Sequence, residues 1–284
     1  MSTLFFIAVG FLTSIVGDRL FLLQTDVVAE TIDTIISRGE KYYEERGNKE
    51  NLLRAIEVLK EGKDSLKKES NAQGQDSSNN PRKEAKICSM LSKFYYKLAE
   101  YHNATLEKER EKLLKEAQRY GKEAVEKDPE DVGGYYWTAV SVGKWGSMHP
   151  LRFVGSKDRD VFEDMVNEAL KRDPSYDFGG PHRALAAYHM PQRLRMITFW
   201  GDEEKALGHA QAAAEKSENY LWNHLTLARV LWQSGKKDEA VEKLKWISSR
   251  DDNILPEAHF ENTHVKDKVK RYLKEYSDSG KIRW

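Results

Sequence analysis

The chain has 284 residues, with 46 Lys and Arg set against 46 Asp and Glu, so its formal net charge is zero. That balance argues against a nucleic-acid binder that works by bulk positive charge, and leaves room only for a local basic patch. A single cysteine, Cys88, excludes an intrachain disulfide and a Cys-rich zinc site, and its place in an apolar-periodic run marks it as core.

At the amino end, Leu4 to Val16 is apolar apart from Thr13 and Ser14. The run is short for a membrane span, which needs about 20 residues, and suits the apolar region of a secretory signal. No Lys or Arg precedes Arg19, so the usual positive region is missing. Residues 1–24 are read as a signal-like or membrane-anchor segment; the alternative is a first helix that buries an apolar face. No cysteine lies nearby, so a lipoprotein anchor cannot form.

Residues 25–69 read as a helix pair. Val27, Ile32, Ile35, Ile36 and Tyr43 share one face, Gly47-Asn48 breaks the pattern, and Leu52, Leu53, Ile56, Leu59 and Leu66 define the partner. Glu69 to Arg82 holds no large apolar residue and is rich in Ser, Asn and Gln, so residues 70–82 are expected to form a flexible linker. Periodicity resumes with Ile87, Leu91, Phe94, Tyr95 and Leu98. Its partner helix, from Leu106 to Lys127, carries Leu113, Leu114, Ala117, Tyr120 and Ala124.

Residues 83–250 then repeat one grammar. Asp128-Pro129 and Asp173-Pro174 stop helices, because proline cannot donate to the ladder. Gly179-Gly180 supplies a turn, and Pro181 fits the first position of a new helix. Ala124 to Ala139, Ala169 to Ala184 and Ala213 to Ala228 each span 15 positions, which predicts that every second helix packs alike on the next first helix. Ala206 to Ala240 spans 34, the tetratricopeptide period. Two units carry extra residues between their helices, at about 144–157 and 189–201, and are expected to present two loops on one edge. Residues 251–284 read as a connector and a capping helix, with Val265, Val269, Tyr272 and Leu273 inward. The fold class is all-α: a right-handed array of antiparallel helix pairs, an α-solenoid.

These residues carry a resemblance. Ala206, Ala213, Leu227-Ala228, Leu231, Ala240 and Leu244 follow the tetratricopeptide-repeat (TPR) pattern. More narrowly, Tyr135-Tyr-Trp137, Gly179 to His189 (GGPHRALAAYH) and Tyr220 to Arg229 (YLWNHLTLAR) resemble the T-component (TatT-like) family of TRAP transporters. The likeness covers about residues 131–247. It implies a periplasmic or membrane-anchored helical-repeat protein that associates with the extracytoplasmic solute-binding protein of a transporter and handles a small hydrophobic ligand. Family members are often lipoproteins, and this chain departs from them in lacking the N-terminal cysteine. A cytoplasmic scaffold that binds peptides is the alternative.

No catalytic constellation is legible. The eight histidines form no i,i+4 pair and no His-Glu-x-x-His, so no metal site is expected; His182 and His189 sit two turns apart, too far to share an ion without another ligand. Gly-x-Ser-x-Gly is absent, and Gly179-Gly180 lacks the strand and third glycine of a phosphate loop. The reading is therefore non-enzymatic, with no cofactor and no nucleic-acid partner; self-association stays open. The candidate ligand or partner contacts are Tyr136, Trp137, Trp145, Arg152, His182, Arg183, Tyr188, Trp200, Trp222 and Arg229. The aromatic residues could line a groove and the arginines could hold an anionic group. The opposing reading makes the aromatics gap-fillers, and makes His182 and Arg183 fasteners of the turn at a helix start.

Overall fold

A computed structural model describes residues 31–73, 80–102, 106–190, 192–194 and 197–284, with backbone alone for 69–73, 80, 192–194 and 197–200. The signal-like segment 1–24 lies outside the described residues. Residues 31–284 form one compact unit.

Five helix pairs follow one another. They are α1 (Ile32–Glu44) with α2 (Lys49–Gln73), and α3 (Asn80–Lys97) with α4 (Glu107–Lys127). Next come α5 (Val132–Met148), a short α6 (Pro150–Val154) and α7 (Lys157–Arg172), then α8 (Tyr176–His189) with α9 (Glu203–Lys216). Last are α10 (Leu221–Gln233) with α11 (Lys237–Ser249) and a closing α12 (His259–Ser279). The first helices touch in succession, α1 to α3, α3 to α5, α5 to α8, α8 to α10 and α10 to α12. The outer helices α4, α7, α9 and α11 instead pack between the first helices on either side. The protein is thus an all-α solenoid whose inner row is α1, α3, α5, α8, α10 and α12. No helix among the described residues is long and apolar enough to cross a membrane.

The repeat frame has a common physical origin. The residues that end α4, α7 and α9 turn to extended φ, and their N–H groups donate to three matched carbonyls. Asp128 reaches Ala124 at 2.9 Å, Asp173 reaches Ala169 at 2.9 Å, and Ser217 reaches Ala213 at 3.3 Å. Those three alanines are fully buried, as are Ala139 and Ala228 on the following first helices. Asp131 and Asp202 cap the helices that follow them, accepting from Gly134 N at 2.5 Å and Lys205 N at 3.1 Å. Cys88 is buried in the first core among Leu52, Leu59, Leu91 and Phe94, and burial pushes its thiol up to about 12.

Three expectations need correction. The linker is shorter than residues 70–82, since α2 runs through Gln73 and α3 begins at Asn80; polar composition does not stop a helix whose apolar face has already nucleated it. The insert at 144–157 is largely helical, because Gly143 and Gly146 do not turn the chain. A Cβ on Gly143 would lie 2.8 Å from the Phe162 ring, and one on Gly146 2.5 Å from the Phe153 ring. The insert at 189–201 holds a two-stranded antiparallel hairpin, β1 (Gln192–Leu194) and β2 (Ile197–Trp200), with Leu194 opposite Ile197.

The break ahead of Pro181 is also tighter than expected. Asp177, Phe178 and Gly179 all take positive φ, at 48°, 59° and 78°. Gly180 does not; a Cβ there would lie 2.5 Å from Cζ of Tyr136. The two glycines therefore do different work, one conformational and one steric.

Candidate functional site

The left-handed turn is held by Arg183. Its Nη2 donates to Asp177 Oδ2 at 2.7 Å and to Tyr136 Oη at 2.8 Å; its Nη1 donates to Asn223 Oδ1 at 2.8 Å and to the Asp177 carbonyl at 3.2 Å. Asn223 in turn donates to the Phe178 and Ala213 carbonyls, both at 2.8 Å. The guanidinium also sits 4.9 Å over the Tyr220 ring. Burial works against the Arg183 charge, but Tyr136, Tyr220 and Asp177 outweigh it and raise its pKa. Arg183 and Tyr136 act together as fasteners of α8, since two non-glycine residues at positive φ cost free energy that these bonds offset.

Trp137 lies beside them, 1% exposed, and its Nε1 donates to Tyr176 Oη at 3.1 Å. From Trp137 a wall of rings and cations runs along the inner row. Lys93 lies 4.6 Å from the Tyr43 ring centroid and 5.7 Å from that of Trp137. Lys97 lies 5.4 Å from that of Tyr101, and Tyr101 meets His264 edge-on with centroids 5.0 Å apart. Trp222 packs with His264 at 6.1 Å, and Lys268 sits 4.6 Å over Trp222. The wall thus draws on α1, α3, α5, α10 and α12.

One region of this wall is short of negative charge. Glu100 binds Lys144 at 2.7 Å and Arg110 at 3.0 Å. Burial would raise its carboxyl, but Lys144, Arg110 and Lys268 hold it below the usual range. Arg229 is exposed on α10. Among the described residues neither Arg229 nor Lys268 has an ion-pair partner. Desolvation pushes Lys268 down to about 8; Glu100 opposes this, while Lys144, Arg229 and Arg271 reinforce it. A cation that gives up water without gaining a carboxylate is costly, and an incoming anion would relieve that cost.

The remaining candidates fall elsewhere. Trp145 is buried near Arg152, whose guanidinium lies 5.2 Å from its ring, and the exposed Leu151 stands beside them on α6. Tyr188 stacks on Phe162 at 4.7 Å, and its hydroxyl bonds Glu163 and Arg159. Tyr188 also lines a cavity of about 790 Å³ with Glu163, His189, Asp202, Lys205 and His209. His182 leaves the turn and meets His209 of α9, Nδ1 to Nδ1, at 3.0 Å. Trp200 lies on β2, where only the backbone is described. The structure therefore joins Tyr136 to Trp137 and Arg183 and sets Trp222 under Lys268, but does not make one site of all ten. Sequence reading missed Lys93, Glu100, His264 and Lys268. The run Lys93-Phe-Tyr-Tyr-Lys97, cationic at both ends of an aromatic core, was the available signal.

Residues 52–179, rather less than half of the chain, match the family profile described as regulator of microtubule dynamics protein 1-3. No curated protein matches the chain. The match spans α3, the turn Leu98–His102, α4, α5 and α7, and so includes Lys93, Glu100 and Trp137; it stops before Trp222, Arg229 and Lys268.

Proposed function

We propose that this protein is a non-catalytic binding subunit that holds a small anionic ligand, with an apolar portion, against its inner helices. The observation that carries this reading is Lys268, set 4.6 Å over the Trp222 ring with Glu100 already engaged by Lys144 and Arg110; Arg229 is near enough to Lys268 to help lower its pKa. Guanidinium and ammonium would take the anionic head. Trp222, His264 and Tyr101 would take the apolar part. Arg183 is reserved for the turn and Trp137 for packing, so neither is needed as a ligand contact.

The resemblance to the TRAP T-component supports a location in the periplasm or at a membrane surface, docked on an extracytoplasmic solute-binding protein. Native mass spectrometry of the full chain as purified tests the ligand claim. A bound anion retained by the wild type and lost from Arg229→Gln supports it; identical spectra contradict it. Co-purification from the membrane fraction tests the docking claim, and recovery of no solute-binding protein would count against it.

A second reading rests on the family match over residues 52–179, whose name states regulation of microtubule dynamics. It treats the solenoid as a scaffold for a cytoskeletal partner. Co-sedimentation of the full chain with microtubules favours this reading, and its absence favours the first.

A further inference from the structure

His182 and His189 lie on α8, and His209 on α9, where the two helices pack side by side. All three imidazoles are half-buried. The Nδ1 atoms of His182 and His209 are 3.0 Å apart, so one ring donates its proton to the other's lone pair. The His189 ring lies nearly parallel to that of His209, at 8°, with centroids 5.9 Å apart.

We infer that His182, His209 and His189 form a binding site for one late first-row divalent metal ion of the zinc class. Two imidazole nitrogens on one zinc ion lie about 3.3–3.4 Å apart, given bonds of about 2.0–2.1 Å and near-tetrahedral angles. The separation of 3.0 Å is a few tenths of an ångström short of that, and loss of the shared proton lets both rings turn so that their lone pairs converge on the ion. His189, which lines the adjoining cavity, supplies the third nitrogen by turning about its side-chain torsions. That space is the cavity of about 790 Å³, lined by both His189 and His209, and it gives the ion an entry path and an open coordination position. Glu163 and Asp202 line the same cavity, each paired with a cation that lines it too, Arg159 and Lys205. Glu163 is oriented by Tyr188 and by Arg159 Nε at 3.2 Å; Asp202 is oriented by Lys205 N at 3.1 Å. Three neutral nitrogens favour zinc, copper or nickel over magnesium or calcium, which prefer oxygen.

The test is isothermal titration of the full chain with Zn²⁺ alone, with Mg²⁺ as a second arm. One equivalent of Zn²⁺ is expected to bind and Mg²⁺ to give no heat. His209→Ala should weaken Zn²⁺ binding by ~10-fold or more, since removing a ligand exceeds the 10–100-fold range known for outer-shell partners at its lower end. Glu111→Gln is the control, because Glu107, Glu111 and His149 place ligand atoms within 4.8 Å of one another elsewhere on the surface. Circular dichroism establishes that each variant is folded, and His182→Ala is the second variant if His209→Ala is not. Co²⁺ substitution gives an independent readout: d–d bands of tetrahedral intensity in the wild type, absent from the folded His variant. Unchanged binding in both His variants, loss of binding in Glu111→Gln alone, or no stoichiometric Zn²⁺ binding by the wild type would each overturn the inference.

Discussion

Glu261, on the closing helix, accepts from Arg46 Nε at 3.0 Å across 215 positions of chain. Lys97 joins the same carboxylate at 2.9 Å, and all three side chains are less than a tenth exposed. Burial would raise the Glu261 carboxyl, but Lys97 and Arg46 hold it far below the usual range. The contact ties α12 to the loop after α1 and to the end of α3, so the last element of the array closes on the first. Without this closure Trp222, His264 and Lys268 would not share a wall with Tyr101.

Glu261→Gln should therefore destabilise the protein by about 3–5 kcal/mol, because it leaves two buried cations unpaired. Urea unfolding measures this. A triple replacement of Arg46, Lys97 and Glu261 by Met, which removes every charge, should cost much less. Equal losses in the two variants would show that packing around α12 dominates and the charges do not.

The two glycines of the α8 turn should separate by mechanism. Gly180→Ala places a methyl within 2.5 Å of the Tyr136 ring, which is itself held by Arg183. Gly179→Ala keeps more space but puts a third non-glycine residue at positive φ, at about 1–2 kcal/mol. Both should lower the melting temperature, and Gly180→Ala more. Gly155→Ala, with nothing within 4 Å of its Cβ, should leave it nearly unchanged.

His224 supplies a pH dependence with a definite sign. It is buried, its Nε2 lies 2.7 Å from the Glu218 carbonyl, and its ring packs on Trp246 at 4.3 Å. Desolvation first, with Lys243 adding to it, pushes its pKa from 6.5 down to about 4. The unfolded chain thus takes up a proton that the folded chain refuses. The stability it contributes is full above about pH 6.5 and is lost as the pH falls toward 4, by roughly 3 kcal/mol at most. Unfolding free energies measured at pH 7 and pH 4.5 should differ by less in His224→Gln than in the wild type; an equal difference would remove His224 as the cause.

Lys268 sets a second pH dependence, on binding. Its pKa is lowered to about 8 by desolvation and by Lys144, Arg229 and Arg271, against the pull of Glu100. An anion binds the charged form, so affinity should hold below that value and decline as the pH rises through it. Lys268→Arg, whose guanidinium stays charged, should abolish the decline. A decline that persists in Lys268→Arg would assign the titration to another group.

The repeat frame was legible because it is local. The 15-residue spacing of small residues appears in the structure as the same cap geometry at Ala124, Ala169 and Ala213. The turn at Gly179 was legible in place but not in kind, since nothing in the sequence marks Asp177 and Phe178 for positive φ; Arg183 and Asn223 stabilise them from other turns of the fold. Repeat spacing placed extra residues at 144–157 but could not show that they stay helical, with Gly143 and Gly146 admitting the Phe162 and Phe153 rings. The closure by Glu261 was not legible at all: its partners are fixed only once the whole array has curved. For the same reason the approach of Lys268 to Trp222 and of His209 to His182 could not be read from the sequence.

The central claim is that Arg229 and Lys268, beside Trp222, bind an anion with an apolar tail. Isothermal titration of the full chain with dodecanoate, at pH 7 and again with dodecanol, tests it most directly. The account predicts saturable one-to-one binding of dodecanoate, little binding of dodecanol, and a loss of ~10-fold or more in dodecanoate affinity for Arg229→Gln, the usual cost of removing one charge-assisted hydrogen bond. Equal binding of the acid and the alcohol, or an Arg229→Gln affinity equal to wild type, would contradict it.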